Sequence, residues 1–523
     1  MEEEEYYEDD FPHEEEDGFN QFLHEQARRA PWWMMSIGIH AIMIALCLLI
    51  PWEQPTKTVV QEFTATLEQD EVEEEVEEEE DWEEEEELNP EEEPTENPVE
   101  KDDAIEADHN ESDDNEEFEQ DKGDSEDAMS DQNFDSKFTN TAVGLGGGAA
   151  GNFGGRFGGK ANLVARGGGK GTQSAVEAGL KWLRDHQNPN GYWDTDGYFS
   201  QCGKAHGRSG RCSGVGNGPY DPGNTGLALL AFLGAGHTHH RKGKFQKTVK
   251  KALQYLKSIQ DAEGCFGPRQ GHFTYNHTIA ALAMAEAYGL TKSNMLKASA
   301  QRGVDFLAKA QNPGFAWRYS VQPGDNDSSV TGWAVMVLKS AKIAGLEVPQ
   351  ECFEGARKWY DSVTDDQYYR TGYVSKGDRG ARLKSQVGKF SMSEAMTAVA
   401  VMARAFMGME RTDPLLRGGA DLLLQSLPEW STDGGPGGTN KIDFYYWYYG
   451  TLAMFQMGGD YWKRWNENMK SAIVDNQQKD KGSCLHGSWD NVGAWGASGG
   501  RVYATATNVL SLEIYYRYER VFK

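Results

Sequence analysis

The stretch AVEAGLKWLRDHQNPNGYW, Ala175–Trp193, decides the fold. Val176, Leu180 and Leu183 recur at helical spacing, and Gln187, a turn containing Gly191 and the aromatic Trp193 follow. The same order returns in TVKKALQYLKSIQDAEGCFG at Thr248–Gly267 and in SAQRGVDFLAKAQNPGFAW at Ser299–Trp317. Weaker copies occupy Cys352–Gly372, Leu415–Trp430 and Trp462–Trp489. A period of roughly 50 residues marks a repeat architecture. Between the copies lie Thr225–Gly236, Asn276–Gly289, Ser329–Gly345, Ser393–Met409, Tyr445–Met457 and Tyr503–Tyr518, which are apolar nearly all round. A helix of that kind is buried on every side. Six one-sided and six fully apolar helices therefore predict an all-α ring of about six outer-inner pairs over 172–523, with no strand-period segment to interrupt it.

The endings Gln187–Trp193 and Gln260–Phe266 resemble the Q-x(3)-G-x-W repeats of squalene cyclases and the repeats of protein prenyltransferase β subunits. The resemblance implies the α/α toroid of the terpenoid cyclase and prenyltransferase type. In such a ring the Gln is expected to cap a neighbouring helix end, and the aromatic to pack on the next repeat.

Cyclases of the protonating class carry D-x-D-D, whose middle Asp gives a proton to an alkene. The match here is Asp325-Asn326-Asp327-Ser328, with Ser328 in place of the third acid. Asp325 and Asp327 are the catalytic candidates that this resemblance implies, Asp327 as the acid. An Asp-Ser-Ser sequence before a helix reads equally as an N-cap. Zinc-dependent prenyl transfer is not expected, because Tyr446 stands where the family has a His and no D-x-C precedes it. His237, His239 and His240 read as solvated loop residues, and no metal or cofactor is expected. Trp333 and the run Tyr445-Tyr446-Trp447-Tyr448-Tyr449 are the aromatics available to an inner helix. Trp333, Tyr445, Tyr446, Trp447 and Tyr449 are candidates for lining a central cavity that takes an isoprenoid or peptide ligand, or for plain core packing.

Cys47 lies in an apolar segment, so five of the six cysteines remain for the ring, and an odd number cannot all pair. Cys202 and Cys212 share one Gly-rich loop and are the candidate disulfide. Cys202, His206 and Cys212 as three metal ligands are the lesser reading, since C-x(3)-H-x(5)-C matches no common structural zinc spacing.

The net charge of −32 over 523 residues is concentrated N-terminal to the ring, most densely at Glu73–Glu87, where only Val76 and Trp82 interrupt the acids. Such a segment has too little apolar area to offset the entropy of ordering. The acidic and then Gly-rich stretch 53–171 reads as a disordered tether. Without a cluster of Lys and Arg, nucleic acid is not an expected partner. Trp32–Trp52 carries no formal charge and is long enough for a transmembrane helix. Arg28 and Arg29 before it and acids after it place residues 1–31 in the cytoplasm and the ring in the periplasm of a bacterial inner membrane. Ser36 and His40 share one helix face. This segment resembles the membrane anchor of TonB, which implies docking of Ser36 and His40 on a proton-driven motor of the ExbB and ExbD kind. Three readings stand: a toroid binding an apolar or peptide-like partner, a terpenoid cyclase using Asp327, and a TonB-like transducer.

Overall fold

The computed structural model describes residues 167–203, 208–379, 389–432 and 440–517. The apolar segment 32–52 with Ser36 and His40, the acidic tether and His206 lie outside them. Among the described residues no helix is long and apolar enough to cross a membrane.

Among the described residues, twelve principal helices alternate around a ring. The outer set is α1 (Lys170–Asp185), α3 (Gln246–Ser258), α5 (Asn294–Ala310), α7 (Gln350–Val363), α9 (Pro414–Leu424) and α11 (Gly459–Val474). The inner set is α2 (Asp221–Gly234), α4 (Phe273–Thr291), α6 (Ser328–Ala344), α8 (Ala395–Phe406), α10 (Phe444–Met457) and α12 (Gly496–Leu512), followed by a short α13 (Ile514–Arg517). Outer helices bury one stripe, such as Val176, Leu180 and Leu183 in α1, while α4 is buried from Ala280 to Ala287 without a break. That difference is the amphipathic versus all-apolar patterning of the sequence.

Each inner helix packs on the next, and α12 packs on α2, so the inner ring closes. Each outer helix packs against the inner helix that precedes it, and α1 lies against α12. The first and last repeats thus share one joint. The architecture is an all-α toroid; among the described residues the only β pairing is four isolated bridges.

The repeated residues make the joints, with roles that differ from expectation. The Gln does not cap a helix end: Gln187 Nε2 donates to Gly191 O at 2.8 Å and to Thr248 O of the next outer helix at 3.0 Å. Gln311 reaches Cys352 O at 3.0 Å, and Gln477 closes the circle on Ala175 O at 2.8 Å. Capping falls to the tryptophans, because Trp193, Trp317 and Trp489 donate Nε1–H to Leu183 O, Leu307 O and Ile473 O in the last turns of their own outer helices. Those carbonyls are among the orphan acceptors of a helix C-terminus. Each tryptophan's backbone N–H is taken by a threonine of an inner helix, Thr225, Thr331 or Thr505.

The motif glycine is fixed by two constraints. Gly487 has φ +90°, and a Cβ there would stand 2.2 Å from Ala178 O of α1. Gly487→Ala is expected to cost about 2–4 kcal/mol in urea unfolding, from left-handed strain plus the displaced helix. Gly243→Ala, where an added Cβ meets nothing within 4 Å, is the control that moves little.

The two faces of the ring are unequal. Connections at the inner-helix C-termini are shorter, from the single Gly458 to the eleven residues 235–245, and form a base. Those at the inner N-termini are long: 186–220, 259–272, 311–327, 364–394, 425–443 and 475–495. This mouth face holds the loops, where binding and catalytic groups gather when a rigid scaffold presents them.

Candidate functional sites: the ring axis, the mouth and a thiol cluster

Trp333 on α6 stacks on Tyr448 of α10 with centroids 5.9 Å apart, and meets Tyr449 edge-on at 5.4 Å. Because α6 and α10 are not neighbours in the ring, these contacts cross its interior. One turn nearer the mouth, Ser329 Oγ and Tyr445 Oη are hydrogen-bonded at 2.7 Å, again between α6 and α10. Ser329/Trp333 and Tyr445/Tyr449 are i, i+4 pairs on facing helices, so each helix brings two layers to the axis. Trp333, Tyr448 and Tyr449 are at most 4% exposed. Packed against one another, these rings plug the space between α6 and α10 at this level.

The cavity candidates therefore divide. Trp333, Tyr445 and Tyr449 face the axis and fill it with one another. Tyr446 and Trp447 point outward: Tyr446 Oη donates to Ser426 O at 2.8 Å and its ring meets Trp465 of α11, while Trp447 packs on Trp430 and Phe444. At 3.6 residues per turn, five consecutive aromatics cannot share one face.

Above the plug, the mouth carries half-buried aromatics. Tyr275 Oη donates to Ser329 Oγ at 2.8 Å, Tyr319 and Tyr373 join hydroxyls, His272 stacks on Tyr319 at 3.8 Å, and Trp495 lies against Tyr445 at 6.3 Å. Hydroxyls and ring faces thus alternate over the loops of several repeats. Beside them Glu394, 3% exposed, is clasped by Arg370 at 3.0 Å and by Arg379. Next to this clasp is a small cleft lined by Thr371, Asp378, Ser393 and Met396.

Asp327 is the N-cap of α6, its Oδ1 accepting from Val330 N at 2.8 Å. The side chain is fully buried; Oδ2 accepts no hydrogen bond and lies 3.9 Å from Arg318 Nε. Burial pushes its carboxyl up to about 7, against the pull of the Val330 N–H and the Arg318 guanidinium. Asp325 is exposed and pairs with Arg318. The two acids are placed differently: one caps a helix below the surface and the other lies in solvent, with Arg318 facing both.

The thiols depart furthest from expectation. Cys202 and Cys212 are free, with no disulfide between them. They converge with Cys484 on His186, whose Nε2 lies 3.5 Å from Cys202 Sγ, 3.4 Å from Cys212 Sγ and 3.3 Å from Cys484 Sγ. All four donor atoms fall within 4.8 Å of one another. His186 closes α1, Cys202 and Cys212 lie within the first long mouth loop, and Cys484 comes from the last. Sequence spacing missed His186 and Cys484 because it was sought within one loop. The available signal was ring closure, which makes the first and last repeats neighbours. The remaining described cysteines, Cys265 and Cys352, are buried apart from the cluster, and burial pushes each thiol up to about 12. His239, expected in solvent, is buried, which lowers it to about 4.

No protein-family model matches the chain. Among solved structures it is similar to an inactive variant of an α-1,6-mannanase from Salegentibacter sp. in complex with α-1,6-mannotriose, at 13% identity and TM-score 0.44, over 66% of this chain and 99% of that one. It is similar to an α-amylase from Clostridium perfringens at 12% identity and TM-score 0.43, over 66% and 98%. It is also similar to a type II terpene cyclase from Scytonema in complex with geranylgeranyl dihydroxybenzoate, at 13% identity and TM-score 0.42, over 66% and 97%. The three are different kinds of protein, and none is similar enough to lend this chain its activity.

Proposed function

We propose that the chain is a membrane-tethered binding module, whose toroid recognises a peptide-like, partly apolar partner on its mouth face and not a substrate enclosed within the ring. The observation that carries this reading is the plug. With Trp333, Tyr445, Tyr448 and Tyr449 closing the axis between α6 and α10, an isoprenoid chain has no interior path at that level. What remains accessible is the mouth. Tyr275, Tyr319, Tyr373, Tyr445 and Trp495 offer apolar area at low entropic cost together with phenolic hydroxyls, the combination that favours protein contact surfaces. The segment 32–52 would anchor the ring to a membrane through the tether, and a motor contact through Ser36 and His40 is compatible with the same arrangement.

Full-length protein in detergent is offered a panel of linear polyprenes and a library of extended peptides. The reading requires a peptide class whose affinity falls at least about tenfold in Tyr319→Ala and Tyr373→Ala, the loss of one aromatic anchor, with no polyprene converted. A cyclised polyprene whose formation is abolished by Asp327→Asn would overturn it in favour of the cyclase.

A further inference from the structure

We infer that His186, Cys202, Cys212 and Cys484 form a structural zinc site that staples the last repeat of the toroid to the first. Tetrahedral coordination with Zn–S of about 2.3 Å and Zn–N of about 2.0–2.1 Å separates ligand atoms by about 3.5–3.8 Å. The three observed sulfur-to-Nε2 distances, 3.3, 3.4 and 3.5 Å, lie at or just below that spacing. Three thiolates with one imidazole form a closed, soft ligand set, which selects zinc and leaves no coordination position for a substrate.

The surroundings prepare the ligands. His186 Nδ1 is 2.8 Å from Trp182 O, so its proton goes to that carbonyl and the Nε2 lone pair faces the thiols. That is the usual outer partner of a metal-bound histidine. The imidazole also stacks on the Trp182 ring, centroids 4.2 Å apart, while Trp182 Nε1 donates to Cys484 O at 3.1 Å. One tryptophan thus orients ligands from both ends of the ring. Cys212 N–H points to Cys202 Sγ at 3.2 Å. His186, Cys212 and Cys484 are each at most 4% exposed, with Cys202 partly open.

Topology gives the site its purpose. Three ligands belong to the first repeat, and the fourth lies 298 positions from His186. Beside the cluster, Ser209 N donates to Gly482 O and Cys484 N to Ser209 O, both at 2.9 Å, in a short bridge between the two loops. A ring built by stacking repeats has one joint that chain continuity does not make. A metal at that joint supplies a cross-link that opening would have to break.

Elemental analysis of the purified full-length chain tests the inference. Wild type is expected to hold one zinc per chain, and so are Cys265→Ala and Cys352→Ala; Cys484→Ser is expected to hold little or none. Cobalt exchanged into wild type should give the intense thiolate-to-metal charge-transfer bands of a tetrahedral site, a readout that stands even if Cys484→Ser fails to fold. Strong chelation should lower the thermal midpoint by about 5–10 °C, as expected when a metal bound only by the folded state is withdrawn. Wild type without metal, retention of zinc in folded Cys484→Ser, or a Cys202–Cys212 disulfide in non-reduced peptide mapping would each overturn it. These outcomes are independent of any ligand at the mouth.

Discussion

Arg517→Leu is expected to lower stability by about 3–5 kcal/mol at neutral pH, the range for removing one partner of a buried ion pair. Arg517 and Glu286 are both fully buried; one guanidinium nitrogen lies 3.2 Å from each carboxylate oxygen of Glu286. The pair joins α13 to α4 at the base of the ring, and Glu513 at the end of α12 is buried on the same side. The cost comes from the buried charge, since Glu286 stays out of water while it loses the guanidinium that faces both of its oxygens. The double variant Arg517→Leu/Glu286→Leu is therefore expected to be more stable than the single one, although two partners are gone. Urea unfolding followed by tryptophan fluorescence gives the three values. A single-variant loss below about 1 kcal/mol, the range of an exposed pair, would show that water reaches this contact.

The repeat period was legible because outer and inner helices bury different fractions of their surface, and that difference is written into every turn. Val176, Leu180 and Leu183 repeat on one stripe, whereas Ala280–Ala287 has no polar stripe to find. Ring closure followed from counting pairs. The roles of the motif residues did not follow. Whether Gln187 or Trp193 caps a helix depends on where the turn aims each side chain, and the turn depends on Gly191 at φ +95° against Lys251 O.

The axis was half legible. The sequence offered an aromatic run as the lining of a cavity, but lining and plug share one composition, and only the pairing of α6 with α10 separates them. The thiol cluster was least legible, because its ligands are drawn from both ends of the ring and become neighbours only when the circle closes. Cys202 and Cys212 pointed to some pairing, and His186 was hidden inside a repeat that already had a structural explanation. The base pair Glu286–Arg517 was silent for the same reason, with partners 231 positions apart.

Asp327→Asn separates the cap from the acid, and its expected effect depends on pH. The folded-state carboxyl is raised by burial to about 7 from an ordinary value of 3.8. Below that ordinary value both folded and unfolded chains hold the proton, and burial carries no charge penalty. As pH rises from about 4 to about 7 the unfolded chain releases the proton while the folded chain keeps it, so stability falls across this window and levels off above it. Asn offers the same oxygen to Val330 N and has no charge to bury. The variant is therefore expected to match wild type at pH 4 and to exceed it at pH 8 by up to about 4 kcal/mol, because each tenfold change in proton affinity between folded and unfolded chains is worth about 1.4 kcal/mol. Arg318, 3.9 Å from the carboxylate, limits the gain. Urea midpoints at pH 4, 6 and 8 measure it, and a difference independent of pH would show that Asp327 ionises as an exposed acid does. A gain in stability at pH 8 would mean that the wild-type chain retains a costly buried carboxyl where an amide caps as well.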